Sequence, residues 1–482
     1  MSADQQIIAV VGGYLALSLF VGIRAGKGVS DSATGFVAGD RAMGGVLMYF
    51  VTGATIFSAF AFLGAPGWAW SRGAAAFHIL AFGVLGFIPF YFIGPAAARL
   101  GRRHGFVTQA ELVAARLHSR PLAVVMALVS LLAFIPYLAL QMRGSGHVLE
   151  VLTRGAIPMQ WGAALVYGVV LIYVWRSGVM GVGWTNTLQG LFMMVLAWTL
   201  GLYLPYALHG GVGPMFAKIA EKDPGFLTLP GRTADGGDWS WSSYASSVFV
   251  MAVGFSFWPH LFQKAFVARS ERVLRRTVVL YPTFLFFLLP ILFIGFAGVG
   301  FDPPPDQADQ ILPHLLLHMD LPALVVGLFC AGALAASMSS GDAILHSAAS
   351  IVVRDGWIVG LGRPLSPQAE RHWVRLMLLP LLLVSYLVAV VFPVDIVGLL
   401  SYAYGPVGQL APPVLGALFW SRATGRGALW GLVVGSVVTI WFSRFPVLPV
   451  HAGLLGLVAN VLILVGVSLL VPARNSGATR EA

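Results

Sequence analysis

Thirteen runs of apolar residues, each able to cross a bilayer's hydrocarbon core of ~30 Å, leave this chain few ways to fold. They fall at roughly 6–24, 43–70, 77–98, 121–152, 157–175, 183–208, 241–262, 277–299, 321–353, 374–394, 397–420, 425–442 and 449–471. Hydrocarbon offers the backbone no water, so each crossing must satisfy its own N–H and C=O groups as a helix. The expected class is an all-α polytopic membrane protein of about 13 transmembrane helices. Charged residues are only 10% of the chain, against about 25% in soluble domains. The stretches between runs are too short for a separate soluble domain.

The formal charge is +10, and its distribution gives the orientation. With the N-terminus outside, 22 Lys and Arg fall in inner segments and 6 in outer ones, with Arg143 left inside a span. Basic residues collect on the cytoplasmic side, so N-out, C-in is expected. The same distribution reads as topology rather than a nucleic-acid footprint, so no nucleic-acid partner is expected. The single cysteine, Cys330, excludes an internal disulfide and a cysteine metal cluster. MSADQQIIAV lacks a basic n-region, and Arg24 and Lys27 follow the first run, so that run reads as a retained helix and not a cleaved leader. Only a short tail follows Val471, so a fused signalling domain is not expected.

Residues 332–350, GALAASMSSGDAILHSAAS, break the apolar pattern from within. Hydroxyls and a carboxylate at bilayer depth are costly unless they face a cavity, an ion or each other. The small residues beside them admit a close helix neighbour. The stretch reads as an ion-binding wall in a transport bundle. Two other runs carry interruptions. VLMYFVTGATIFSAFAFLGAPGWAW holds Thr52, Gly53, Gly64, Pro66 and Gly67, and SSVFVMAVGFSFWPHLFQ holds Gly254, Ser256, Pro259 and His260. Unwound backbone frees carbonyls for a cation, and paired interruptions five spans apart point to an inverted-repeat carrier. Kinked helices with tight glycine packing are the plainer alternative.

FVAGDRAMG (36–44), TIFSAFAFLGAPGWAW (55–70), YLALQMRGSG (137–146), GWTNTLQG (183–190), FWPHLFQK (257–264), ALAASMSSGDAILHSAAS (333–350), AYGPVGQLAPPVLGALFW (403–420) and RATGRGALWG (422–431) occur in this order. On these motifs the chain resembles the sodium:solute symporter family over nearly its whole length, leaning towards the branch of monocarboxylate and pantothenate carriers. The resemblance implies a LeuT-type 5+5 inverted repeat with one extra N-terminal and two extra C-terminal helices. The expected parts are 1–42, an extra helix and loop; 43–208, the first repeat; 209–240, an outer loop; 241–420, the second repeat; and 421–482, two helices and a tail. It also implies a sodium site from Ala54, Phe57, Ala336, Ser339 and Ser340. Neutral oxygens suit a hard cation that must also leave again. Packing serines bonded to the preceding turn are the alternative for Ser339 and Ser340. Many members carry an acid where this chain has Asn186, so one sodium per cycle is expected. Asp342, on the face of Ser339, either compensates as a second cation or coupling group or pairs with another core group.

The substrate reading begins with Arg143, whose planar fork suits a carboxylate, although it could also snorkel outward or pair with Glu150. Gln141 and Tyr137 lie near it in sequence. The pocket is completed by Thr55, Ser58 and Phe62, by Phe255, Trp258 and His260, and by Tyr402, Tyr404 and Gln409 where the family has a gate. His78, His147 and His346 show no metal spacing. The expected function is sodium-coupled import of a small organic solute, a monocarboxylate first, by alternating access. The alternatives are the same fold carrying proline, pantothenate, a sugar or a urea-like compound, then a transporter-like sensor, a channel or a membrane enzyme. No nucleophile–base pair supports an enzyme. The composition suggests a bacterial inner (plasma) membrane, and the oligomeric state is open.

Overall fold

The computed structural model describes residues 2–27, 30, 32–392 and 403–470. Tyr402 and the tail beyond Leu470 lie outside the described residues. Apart from two isolated bridges, the regular structure described is helical. The long elements are α1 (Ala3–Ala25), the bent pair α2 (Gly45–Ile56) and α3 (Phe60–Phe87), α4 (Arg120–Leu152), α5 (Met159–His209), the bent pair α6 (Trp241–Phe255) and α7 (Pro259–Val267), α8 (Glu271–Ala297), α9 (Ala323–Gly360), α10 (Pro367–Val391), α11 (Gly425–Arg444) and α12 (Ala452–Leu470). Among the described residues, eight helices are long and apolar enough to cross a membrane, or ten with each bent pair taken as one span.

The difference from thirteen runs has local causes. Runs 157–175 and 183–208 join in α5, whose 51 residues would reach about 75 Å if straight. Gly178 breaks it, at φ 55 and ψ −144. Run 77–98 is divided between α3 and a separate helix, Phe90–His104, and part of run 397–420 lies outside the described residues. The backbone at Gly178 is one that residues with a Cβ rarely adopt, and a Cβ there would also strike the Phe36 carbonyl. Gly178→Ala is expected to cost about 1–3 kcal/mol, read as a lower melting temperature in detergent with the fold retained.

The most enclosed helix is α9, in which every residue from Phe329 to Ile351 is buried. It packs against α1, α2, α4 and α5. Alanine, glycine and serine along 331–350 allow those crossings, because small side chains let backbones approach. Helices α10, α11 and α12 are mostly unburied in the bundle and present residues such as Leu383, Val437 and Leu462 outward. Gly431 and Gly435 of α11 let it close on Gly456 and Asn460 of α12.

Both interrupted runs are bent, by 57° between α2 and α3 and by 44° between α6 and α7. The first break is not where its glycine suggested. Gly53 stays helical, and it is needed because the Phe284 ring fills the space a Cβ would take. The chain leaves the helix at Phe57 (ψ 74) and resumes at Phe60. The second break, Ser256–Trp258, ends with Pro259 in the first turn of α7, where its missing N–H is harmless. Where α2 begins and α7 ends, the two broken helices are stitched together. Met43 donates to the Val267 carbonyl (3.1 Å) and accepts from the Arg269 N–H (2.9 Å). Arg41 adds bonds to the Phe266 and Phe106 carbonyls, at 3.1 and 2.9 Å.

Candidate sodium and solute site

Where α2 ends, its last carbonyls have no helical partner and carry partial negative charge. Helix α9 meets them with hydroxyls. Ser339 Oγ donates to the Ala54 carbonyl (2.9 Å) and to Ala336 in its own turn (3.1 Å). Ser340 Oγ donates to the Thr55 carbonyl at 2.7 Å. All of these residues are fully buried. Ala54, Ala336, Ser339 and Ser340 are thus in one oxygen cluster, joined by the Thr55 carbonyl, which sequence reasoning did not name. Phe57 is buried at the exit from α2 and faces the adjacent cavity.

That cavity lies between the two breaks and is lined mainly by aromatic and aliphatic groups. Six of the expected solute residues line it: Ser58, Tyr137, Phe255, Trp258, His260 and Tyr404. Tyr137, Tyr404 and His260 surround the Trp258 ring at centroid distances of 5.0, 5.3 and 5.6 Å. Among the described lining residues there is no lysine or arginine.

Five expected residues do not line it: Thr55, Phe62, Gln141, Arg143 and Gln409. Thr55 turns its hydroxyl to Val51 O (2.5 Å) and Asn186 Oδ1 (3.0 Å). Phe62 packs on Phe329 of α9. Gln141 caps the start of α3, its Oε1 accepting from the Ala59 N–H at 2.9 Å. Its Nε2 is buried without a hydrogen-bond partner among the described residues. Arg143 donates to the Phe392 carbonyl (2.6 Å) and to His147 (3.3 Å). A guanidinium at the carbonyl end of α10 is favourable in itself, and it holds Arg143 away from the cavity. His147 then sits 3.5 Å from Glu150, so Arg143 reaches that acid through the ring.

Gln409 has a different role from a gate. It donates to Thr439 (3.1 Å) and the Gly453 carbonyl (3.2 Å), and Asn460 donates to it. It ties its own segment to α11 and α12. His78 and His346 fill helix-packing roles, against Ser247 (3.0 Å) and the Phe36 carbonyl (3.1 Å). Among the described residues no three His, Cys, Asp or Glu side chains group as for a metal.

Asn186 and Asp342, which the sequence could only name separately, form one network. Asn186 Nδ2 donates to both Asp342 oxygens at 3.1 Å. Tyr173 (2.7 Å) and Thr185 (3.1 Å) donate to Oδ2. The network runs from the oxygen cluster through Thr55 and Asn186 to a fully buried carboxylate. Thr185 lay within the GWTNTLQG motif, but nothing along the chain singled out Tyr173. Lys264 was also missed. Its charge placed it with the inner segments, yet it is 4% exposed.

The profile of the sodium:solute symporter family matches residues 36–435. The chain belongs to the sodium:solute symporter family. Sodium is its coupling ion, and it is an integral membrane protein of sodium-coupled solute import. This symporter is 32% identical to the uncharacterized symporter YhjB of Bacillus subtilis, over 98% of this chain and 99% of that one. It is 28% identical to a sodium/pantothenate symporter of Haemophilus influenzae, over 87% and 85% of the two chains. A monocarboxylate transport permease of Rhizobium johnstonii is 24% identical over 90% of each. In fold it matches a Na+-coupled sialic acid symporter in a substrate-bound outward-open state, with a TM-score of 0.83, 21% identity and 97% and 98% coverage. The family and these relatives are transporters.

Proposed function

We propose that this symporter imports a small carboxylate, a monocarboxylate first, together with one sodium ion across a bacterial plasma membrane, N-terminus out and C-terminus in. Ala54, Phe57, Ala336, Ser339 and Ser340 hold the ion, with the Thr55 carbonyl as a further oxygen. The observation that carries this reading is the contact of the Ser339 and Ser340 hydroxyls with the final carbonyls of α2. These are neutral hard oxygens, the ligand type sodium takes in exchange for water. Rocking of the 43–208 repeat against the 241–420 repeat would expose the site to each side in turn.

The solute sits in the cavity between the breaks. Its apolar part packs on Trp258 and Phe255, and its polar end meets Ser58, Tyr137, His260 and Tyr404. Monocarboxylates and pantothenate, the solutes named for two relatives, share a carboxylate, which supports that class. Among the described lining residues no lysine or arginine neutralises the charge, so the bound sodium and the N-terminal end of α3 take that part. His260 Nδ1, which has no hydrogen-bond partner among the described residues, supplies a spare donor in the tautomer that carries its proton there.

The test is uptake of labelled acetate, propionate, pyruvate, lactate, pantothenate, proline and glucose into proteoliposomes, with and without an inward sodium gradient. A sodium-dependent monocarboxylate is expected. Tyr137→Phe should raise its KM by about 3- to 10-fold, the value of one net hydrogen bond. Arg143→Gln should leave KM within about twofold, since that guanidinium serves α10 and not the cavity. Uptake of glucose alone would overturn the carboxylate reading.

A further inference from the structure

Two helix ends and a helix break, none of them used by the transport site, meet around one aromatic ring. Helix α1 ends at Ala25, α5 is broken at Gly178 and α10 starts at Pro367. Ser177 Oγ donates to the Ile23 carbonyl (3.2 Å), and a Cβ on Gly26 would fall on Ser177, so the end of α1 lies against the break in α5. Arg375 of α10 reaches the same break, its Nη2 donating to the Arg176 carbonyl at 3.4 Å. Beside them is Phe36, buried in the short helix Ala33–Ala38. The guanidiniums of Arg371 and Arg375 stand 5.9 and 5.1 Å from its ring centroid. Arg24 and Lys27 arrive with the end of α1. Among the described residues, Arg24, Lys27, Arg176 and Arg375 form no ion pair with a carboxylate within 4 Å. Arg375 Nε is buried with no hydrogen-bond partner among those residues.

We propose that this cluster holds the phosphate of an anionic phospholipid in the cytoplasmic leaflet. The first reason is charge. Arg371 and Arg375 are one turn apart, and like charges at that spacing oppose each other, the more so when both guanidiniums gather at one buried ring. A basic residue that only marks topology can extend into water. Arg375 instead packs its fork on Phe36 and keeps one N–H out of water. A guanidinium takes phosphate oxygens in pairs, and one phosphate between α5 and α10 would serve Arg176 and Arg375 together. The second reason is depth. Trp373 lies between the two arginines in α10 and stacks on Trp357 at 6.3 Å. Both indoles are exposed, as at the boundary between headgroups and hydrocarbon. Farther along α10, Leu379 and Leu383 are exposed as well, a track for acyl chains below a headgroup held at Arg375. Basic pockets between helix ends on the cytoplasmic side take anionic headgroups, and the leaflet rests on the orientation proposed above. A lipid held there would brace α10 against the break in α5. The Phe36 carbonyl sits where a Gly178 Cβ would be, and it accepts from His346 of α9.

The experiment titrates the full-length protein in detergent with phosphatidylglycerol, phosphatidylcholine or inorganic phosphate and follows its melting temperature. Phosphatidylglycerol should raise it saturably, and the other two should not. Arg375→Gln should need about fivefold more phosphatidylglycerol for half the shift, and Arg176→Gln with Arg375→Gln about 30-fold more, the loss of one and of two basic contacts. Arg272→Gln, which removes an exposed arginine at the start of α8, should stay within about twofold of wild type. Equal shifts with phosphatidylcholine overturn the proposal, as does an Arg272→Gln loss as large as that of Arg375→Gln. A full match by inorganic phosphate overturns it too, since the cluster would then be a free-anion site. If the glutamine variants do not fold, Arg375→Lys keeps the charge without the fork and should still weaken the shift, whereas a titration equal to wild type would remove Arg375 from the site. Labelling of Lys27→Cys in intact cells by a membrane-impermeant maleimide would put the cluster on the outer face and overturn the leaflet. The lipid titration uses neither sodium nor solute. Its failure leaves the transport reading standing, and failed sodium-driven uptake leaves the lipid site standing.

Discussion

Replacing Ser340 by alanine is expected to raise the sodium needed for half-maximal uptake by roughly 10- to 100-fold, the loss of one oxygen bound to a charged partner. The hydroxyl stands on the Thr55 carbonyl, where α2 ends, in a fully buried setting. Ser340→Thr keeps the oxygen and should keep most of the affinity. Sodium titration of uptake in proteoliposomes is the measurement, with a melting curve in detergent as the control for folding. A packing serine would behave otherwise. Its alanine variant would show near-normal sodium dependence and a change in melting temperature alone, and that outcome would remove Ser340 from the site.

The second large effect is expected at Gly341, the next residue. A Cβ there would fall on the Tyr167 hydroxyl. Tyr167 is itself fully buried and bonded to the Ser337 carbonyl and hydroxyl, both at 3.1 Å. It has no space to swing into. Overpacking a core of this kind costs about 1–3 kcal/mol, and valine adds branching to the added carbon. Gly341→Val is expected at or above the top of that range, seen as loss of monodisperse protein after extraction or a strongly lowered melting temperature. Because Ser339, Ser340 and Asp342 share the same two turns, any surviving protein should also lose sodium-dependent uptake. A Gly341→Val variant with normal melting and normal uptake would mean that α5 and α9 do not meet as closely as Gly341 and Tyr167 require.

The residues that could be found from sequence were those whose chemistry is out of place along one dimension. Ser339, Ser340 and Asp342 stand out because hydroxyls and a carboxylate interrupt an apolar run, and the structure brings the two hydroxyls onto the end of α2. The paired interruptions at 45–72 and 241–267 were visible through their glycines and prolines. The residue that breaks the first helix was not, because Gly53 serves packing against Phe284 and the exit falls at Phe57. Arg143 shows a different limit. An arginine inside an apolar run invites a substrate role, but the end of α10 offers it a carbonyl from 249 residues away. Thr55 and Phe62 share a run with Ser58, and only rotation about the helix axis turns Ser58 to the cavity while Thr55 faces Asn186 and Phe62 faces Phe329.

By itself, then, the order of residues determined the membrane class, the expected orientation and the row of neutral hydroxyls within an apolar helix. These are additive properties, sums of transfer energies and charges along the chain, and a one-dimensional reading carries them. The tertiary structure alone decided which polar groups meet. Asn186, Tyr173 and Thr185 converge on Asp342 from 156, 169 and 157 residues away. Lys264, a charged residue in the second broken helix, is buried as well. The reason is physical: a polar group at depth is tolerated only with partners, and its partners are set by how far each helix is rotated and how closely it crosses its neighbour. Those two quantities come from the packing of small residues such as Gly341 and Gly53 against rings on other helices, and no local pattern encodes which ring that will be.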